Sequence, residues 1–158
     1  MTNQMKTLLA ILVPLIQDSE HCKLKAYPDA ATGGVPWSIG WGATQGVKKG
    51  DVWTQAQADE RLQQDALHAL DRAVALSPIL SKPGYENQWA AVADFIYNAG
   101  EGRYAGSTFR KNVDGEYWNL AAKECEKWCH GHDSHGELIE LEGLVVRRAK
   151  EAHLLAGF

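Results

Sequence analysis

From Thr54 to the C-terminus no segment alternates apolar and polar residues as a strand would, and the apolar positions recur at helical spacing almost throughout. The chain is therefore restricted to a mainly helical fold whose only sheet must come from residues before Thr54. Thr54 stands three residues ahead of Gln57, the spacing of a capping box, so a helix starts near Gln55. Ala58, Leu62, Ala66, Ala69, Leu70, Ala73 and Leu76 keep one face apolar until Ser77 and Pro78, where the helix stops. Further helical patterns cover Glu86 to Ala99, closed by Gly100, a short piece around Thr108, Asp114 to about Cys129, and Leu144 to Leu155.

Ahead of Thr54, Met5, Leu8, Leu9, Leu12, Leu15 and Ile16 read as a first, buried helix. Pro14 either kinks that helix or opens a second segment at the first helical position. Extended pieces punctuated by turn residues then follow at Lys23 to Tyr27, Val35 to Trp41 and Gly46 to Gly50, a pattern for a small antiparallel sheet. The expected architecture is α+β and mainly helical, a single domain over 1–158. A small α/β lobe (15–55) is joined by the helix over 55–77 to a helical lobe (78–158 with 1–14), with a cleft between them.

The chain's 158 residues suffice for one such domain. A formal net charge of −4 argues against a nucleic-acid partner held by phosphate neutralisation. The apolar run from Leu8 to Ile16 is far shorter than the roughly 18 residues of a membrane span and has no small-x-small cleavage pattern. Stable membrane association is not expected, and export or arrest by residues 5–16 is the rival reading. Three cysteines, Cys22, Cys125 and Cys129, do not make a disulfide framework and fit synthesis in a reducing compartment.

Glu20 closes the first helical pattern and Asp29 lies in the hairpin turn, so they sit on different elements. A chain doubling back from helix to sheet can bring two such carboxyls onto one wall of a cleft, the arrangement glycoside hydrolysis needs. Taken alone, solvated surface charge is the default for any pair among twenty acidic residues. The surrounding letters change that. Glu20, Leu24, Ala26, Tyr27 and Asp29, followed by Trp37 to Gly42 and Thr44, resemble the active-site segment of the phage-type lysozymes, the endolysins of glycoside hydrolase family 24. Val47 to Thr54, Phe95 to Gly100 with Gly106 to Phe109, and Gly143 to Glu151 agree in the family's order, so the resemblance runs from about Asp18 to Leu155.

The resemblance implies an N-acetylmuramidase that cleaves the β-1,4 bond between N-acetylmuramic acid and N-acetylglucosamine in bacterial peptidoglycan. Glu20 would be the general acid, Asp29 would steer a water or stabilise the oxocarbenium charge, and Ser38 would hold that water. The family usually has Thr at the Ser38 position, so a hydroxyl remains and a stiffening methyl is lost. Inversion at the anomeric carbon is implied as well. Residues Ala30 to Trp37 make a longer insert than the commoner family pattern, with Gly33 and Gly34 at its tip. Trp37, Ile39, Trp41, Asn98, Thr108 and Phe109 fall on the substrate side of the comparison, and Arg147 is expected to orient Glu20, with Arg148 the alternative. The resemblance also implies accumulation in the host cytoplasm, holin-dependent release to the wall, and a monomer. A lytic transglycosylase or a non-catalytic wall-binding module are the other readings.

Trp89, Trp118 and Trp128 keep helical spacing with other apolar residues and read as core. Cys125, Cys129, His130, His132 and His135 include soft metal ligands but match no standard zinc spacing. They are read as incidental residues of a loop joining two helices. No metal and no cofactor is expected.

Overall fold

Thr2 opens the first helix, α1 (Asn3–Ser19), by accepting the Met5 N–H on its hydroxyl. The computed structural model describes residues 1–30 and 32–158. One helix carries both sides of Pro14, which sits on the exposed side while Leu8, Leu12, Leu15 and Ile16 are buried on the other. No second segment begins at the proline. Helical geometry ends at Glu20, whose backbone is extended and whose N–H still donates to the Ile16 carbonyl at 2.8 Å. The catalytic candidate is thus fixed at the point where the chain leaves α1.

Strands β1 (Lys23–Tyr27) and β2 (Ser38–Gly40) pair antiparallel, with Lys23 opposite Gly40 and Tyr27 opposite Ser38. The expected third extended piece is not a strand. Gly46 and Gly50 take positive φ and turn the chain at both ends of that stretch, and it is Val52 that bridges to Lys25.

Helix α2 (Gln55–Leu76) begins with the full capping box, Thr54 bonded to the Gln57 N–H and Gln57 back to the Thr54 N–H. A short 3₁₀ turn over Pro78–Ser81 leads to α3 (Glu86–Ala99), ended by Gly100 at φ 90°. The helices α4 (Glu101–Ala105), α5 (Thr108–Asp114) and α6 (Trp118–Glu126) follow. Next come strands β3 (His130–His132) and β4 (Leu138–Glu140), then α7 (Glu142–Leu155). The hairpin corrects the expectation of a plain loop. Its strands are three residues each with no buried residue, so they leave no hydrophobic alternation to read.

The core is built around α3, whose run from Gln88 to Ile96 is buried by α1, α2, α4 and α7, with Phe109 of α5 against Phe95. Phe95 makes edge-to-face contacts with Phe109 at 5.1 Å and Trp128 at 5.5 Å. Trp89 donates its indole N–H to the Leu70 carbonyl, and Trp118 packs edge-on against Tyr85. These three tryptophans serve packing, as their spacing predicts. Among the described residues no helix is long and apolar enough to cross a membrane.

Candidate active site

A single aspartate, Asp94, interrupts the apolar run of α3 and is fully buried there. Such a group must be paired. Arg147, on α7 and 2% exposed, meets it with two parallel bonds, Nε to Oδ2 at 2.9 Å and Nη2 to Oδ1 at 2.7 Å. The third arm of the guanidinium, Nη1, reaches Oε1 of Glu20 at 2.6 Å. Burial opposes the Arg147 charge, but bonds to Asp94 and the charge of Glu20 hold its pKa above the ordinary arginine value. Three segments far apart in sequence therefore hold one carboxyl: the end of α1, the middle of α3 and the first half of α7.

The other side of that carboxyl is set by the turn after β2. A Cβ on Gly42 would lie 3.1 Å from Glu20 Oε2, and Gly42 has φ +88°, so the turn approaches the carboxyl as only glycine permits. Tyr97 clamps the same turn by donating its hydroxyl to the Trp41 carbonyl at 2.6 Å. Burial, aided by the charges of Asp65 and Glu20, raises the Tyr97 pKa and keeps its proton in place. A polar pocket opens beside this point, lined by Gly42, Thr44, Gln45, Arg61, His68 and Tyr97.

Arg148 points elsewhere. It donates two bonds from Nη1 to Glu151, at 2.8 and 2.6 Å, and one from Nη2 to the Asn98 amide oxygen, so its hydrogen bonds go to α7 and α3 and it is Arg147 that meets Glu20. Glu151 is fully buried, and burial with Asp94 close by pushes its carboxyl well above the usual range despite Arg148. Between the ordinary glutamate value of about 4.3 and that raised value, the unfolded chain binds fewer protons than the folded one, so stability falls as pH rises. Glu151→Gln removes this titration, and its melting temperature relative to the wild type is expected to rise steadily above about pH 4.3. A difference that stays constant with pH would refute the assignment.

Asp29 lies in the loop after β1, half-buried, with Oδ1 accepting the Thr32 N–H at 2.9 Å and its own N–H bonded to the Gly34 carbonyl at 3.0 Å. The loop is thereby tied across its base, and Ala31 within the insert Ala30–Trp37 lies outside the described residues. Ser38 starts β2 opposite Tyr27, at the Asp29 end of the sheet, and Trp37 beside it is half-buried.

Of the expected substrate contacts, Ile39 and Phe109 are corrected because both are buried, and Trp41 is half-buried. Ile39 is 0% exposed, because strand side chains alternate and the one after Ser38 must face the opposite side. Phe109 is 0% exposed within the Phe95 aromatic cluster, so it packs the core below α5. Trp41 spends its indole N–H on Asp59 Oδ1 at 2.8 Å and packs against the core, tying the turn to α2. Thr108 and Asn98 are exposed, Thr108 at the first position of α5 and Asn98 on a second groove with Arg103, Trp128 and Leu144.

Sequence comparison decides the family. The phage lysozyme family model matches residues 17–151. The chain belongs to the phage lysozyme family. It is 31% identical over 140 residues to an endolysin of Acyrthosiphon pisum secondary endosymbiont phage 1, covering 89% of this chain and 91% of that one. An endolysin of Lactococcus phage c2 is 36% identical over 144 residues, covering 89% of this chain and 56% of the relative. Among solved structures, the muramidase domain of SpmX from Asticaccaulis excentricus superposes with a TM-score of 0.77 at 27% identity, covering 90% and 92% of the two chains. The match begins three residues before Glu20 and ends at Glu151, so it encloses the whole buried charge cluster. Asp94 and Gly42 are the parts of the site that reading the sequence did not single out. A lone carboxylate inside the apolar run from Trp89 to Ile96 was the available signal for the first.

Proposed function

We propose that this phage lysozyme hydrolyses the β-1,4 bond between N-acetylmuramic acid and N-acetylglucosamine in bacterial peptidoglycan, with Glu20 as the general acid. The observation that carries the reading is the Glu20 carboxyl itself, half-buried at the end of α1, held by Arg147 on one side and close on the other to Gly42, a residue of the polar pocket's wall. A general acid works through geometry first: its proton must face the leaving oxygen, and a guanidinium locked by Asp94 holds one carboxyl oxygen while Oε2 remains toward Gly42. In this reading Oε2 carries the transferred proton.

Asp29 and Ser38, at one end of the sheet, are assigned to the water that attacks the opposite face of the sugar, which fits an inverting course if the two carboxyls stand about 6.5–9.5 Å apart. Trp37, Asn98 and Thr108 remain the exposed or half-exposed candidates for holding the glycan, and an amide such as Asn98 can both donate to and accept from an N-acetyl group. The relatives named endolysin support a role in lysis at the bacterial cell wall, and holin-dependent release and action as a monomer are part of the same proposal.

Mass analysis of fragments released from purified peptidoglycan tests the bond. Ends in reducible N-acetylmuramic acid are expected. Anhydro-muramic ends would make the reaction a transglycosylation, and reducing N-acetylglucosamine ends would move the cut to the other glycosidic bond.

Gly42→Ala provides a test of the geometry. Its Cβ would press on Glu20 Oε2 from 3.1 Å and push the carboxyl off its position, so kcat should fall, by less than the roughly hundredfold of a full 1 Å misplacement. The left-handed backbone adds strain of about 1–2 kcal/mol. Turbidity clearance of wall suspensions read beside a melting curve checks this, and near-normal kcat would mean that Glu20 is not held against Gly42.

A further inference from the structure

We propose that Cys129, His130 and Glu140 form a binding site for a zinc-class divalent cation at the base of the β3–β4 hairpin. The inference is independent of the glycosidase reading, and it reverses the expectation that the cysteines and histidines of this segment are incidental. Two features of the fold change the ligand set from the one visible in sequence. Cys125 leaves it, because its thiol is buried in α6 and donates to Glu151 Oε2 at 3.1 Å. Glu140 enters it, because β3 and β4 pair with His130 directly opposite Glu140.

The three ligand atoms converge within 4.8 Å of one another. Cys129 Sγ lies 3.6 Å from His130 Nδ1 and 3.8 Å from Glu140 Oε2. A tetrahedral ion with a bond of about 2.3 Å to sulfur and about 2.0–2.2 Å to nitrogen or oxygen sets its ligand atoms about 3.3–3.7 Å apart. The existing spacing is therefore close to the edge lengths of a zinc tetrahedron, and closing the rest requires only small rotations of the exposed His130 and Glu140 side chains. One thiolate, one imidazole and one carboxylate suit zinc and disfavour magnesium or calcium, which take oxygen sets. Three protein ligands leave the fourth position to water.

The frame is supported on both sides. The Leu141 N–H bonds to the Cys129 carbonyl at 2.9 Å, which fixes the hairpin's base where the sulfur and carboxylate meet. Cys129 is 6% exposed, so an ion would be shielded on its sulfur side and open on its imidazole and carboxylate side. His130 also borders the groove that carries Asn98, Arg103 and Trp128. A bound ion would thus pin one wall of that groove by tying β4 to β3.

The test uses the full chain purified without a histidine tag and stripped with chelator, titrated with Co²⁺ and then with Zn²⁺. One ion per chain is expected, with a thiolate-to-cobalt charge-transfer band, the strong visible bands of tetrahedral Co²⁺, and displacement of both by Zn²⁺. Cys129→Ser should abolish the charge-transfer band, and Glu140→Gln, at an exposed position that leaves the fold intact, should weaken Zn²⁺ at least about tenfold. Cys22→Ser and His135→Ala should leave the spectrum unchanged. Weak octahedral cobalt bands without charge transfer, or equal Zn²⁺ affinity in wild type and Glu140→Gln, would overturn the proposal.

Discussion

Glu20→Gln is expected to lower kcat on peptidoglycan by about 10²–10⁴-fold while leaving the protein folded. The amide is isosteric with the carboxyl, and its oxygen can still accept from Arg147 Nη1, so the junction of α1, α3 and α7 stays closed. What it lacks is a proton that can be given to the leaving oxygen. Arg147 keeps its two bonds to Asp94 in the variant, so the buried guanidinium is not left unpaired. The melting temperature is accordingly expected to move by only a few degrees, on the order of the shift from 1 kcal/mol in a chain this long. Clearance of wall suspensions by wild type and variant, with a melting curve for each, separates the outcomes. A variant that keeps most of its kcat would place the acid elsewhere and remove the central residue of the proposed mechanism.

The helices that carry the site were legible because each is delimited locally. Thr54 with Gln57 starts α2, Pro78 ends it and Gly100 ends α3, and none of these signals depends on tertiary structure. Reading failed where orientation rather than element type mattered. Ile39 and Phe109 lie one residue from Ser38 and Thr108, yet a strand's alternation and a helix's rotation turn the neighbour of an exposed residue into the core. The β3–β4 hairpin is hidden in sequence because its six strand residues, five exposed and one half-buried, carry no burial pattern, and its pairing is what brings Glu140 to Cys129. Arg147 was identified by position in a motif, whereas its anchor, Asp94, lies 53 residues away and is linked to it only by folding. The contact between Arg147 and Glu20 that the family resemblance implies is present, at 2.6 Å.

Asp94→Ala is expected to cost about 3–5 kcal/mol, the loss on removing one partner of a buried ion pair, because Arg147 would be left with a buried charge and two unmet donors. Asp94→Asn is the more informative variant. Its amide oxygen can still accept one bond, so the fold should survive, but the anion that balances Arg147 is gone. Arg147 then has Glu20 as its nearest carboxylate, with Glu151 at 3.9 Å from Nε already bonded to Arg148. A guanidinium no longer locked by two charged bonds can shift, and the Glu20 carboxyl it holds loses the fixed aim that proton transfer needs. The expected signature is a fall in kcat with KM little changed. A purely structural Asp94 would lower the melting temperature and leave kcat of the folded protein unchanged.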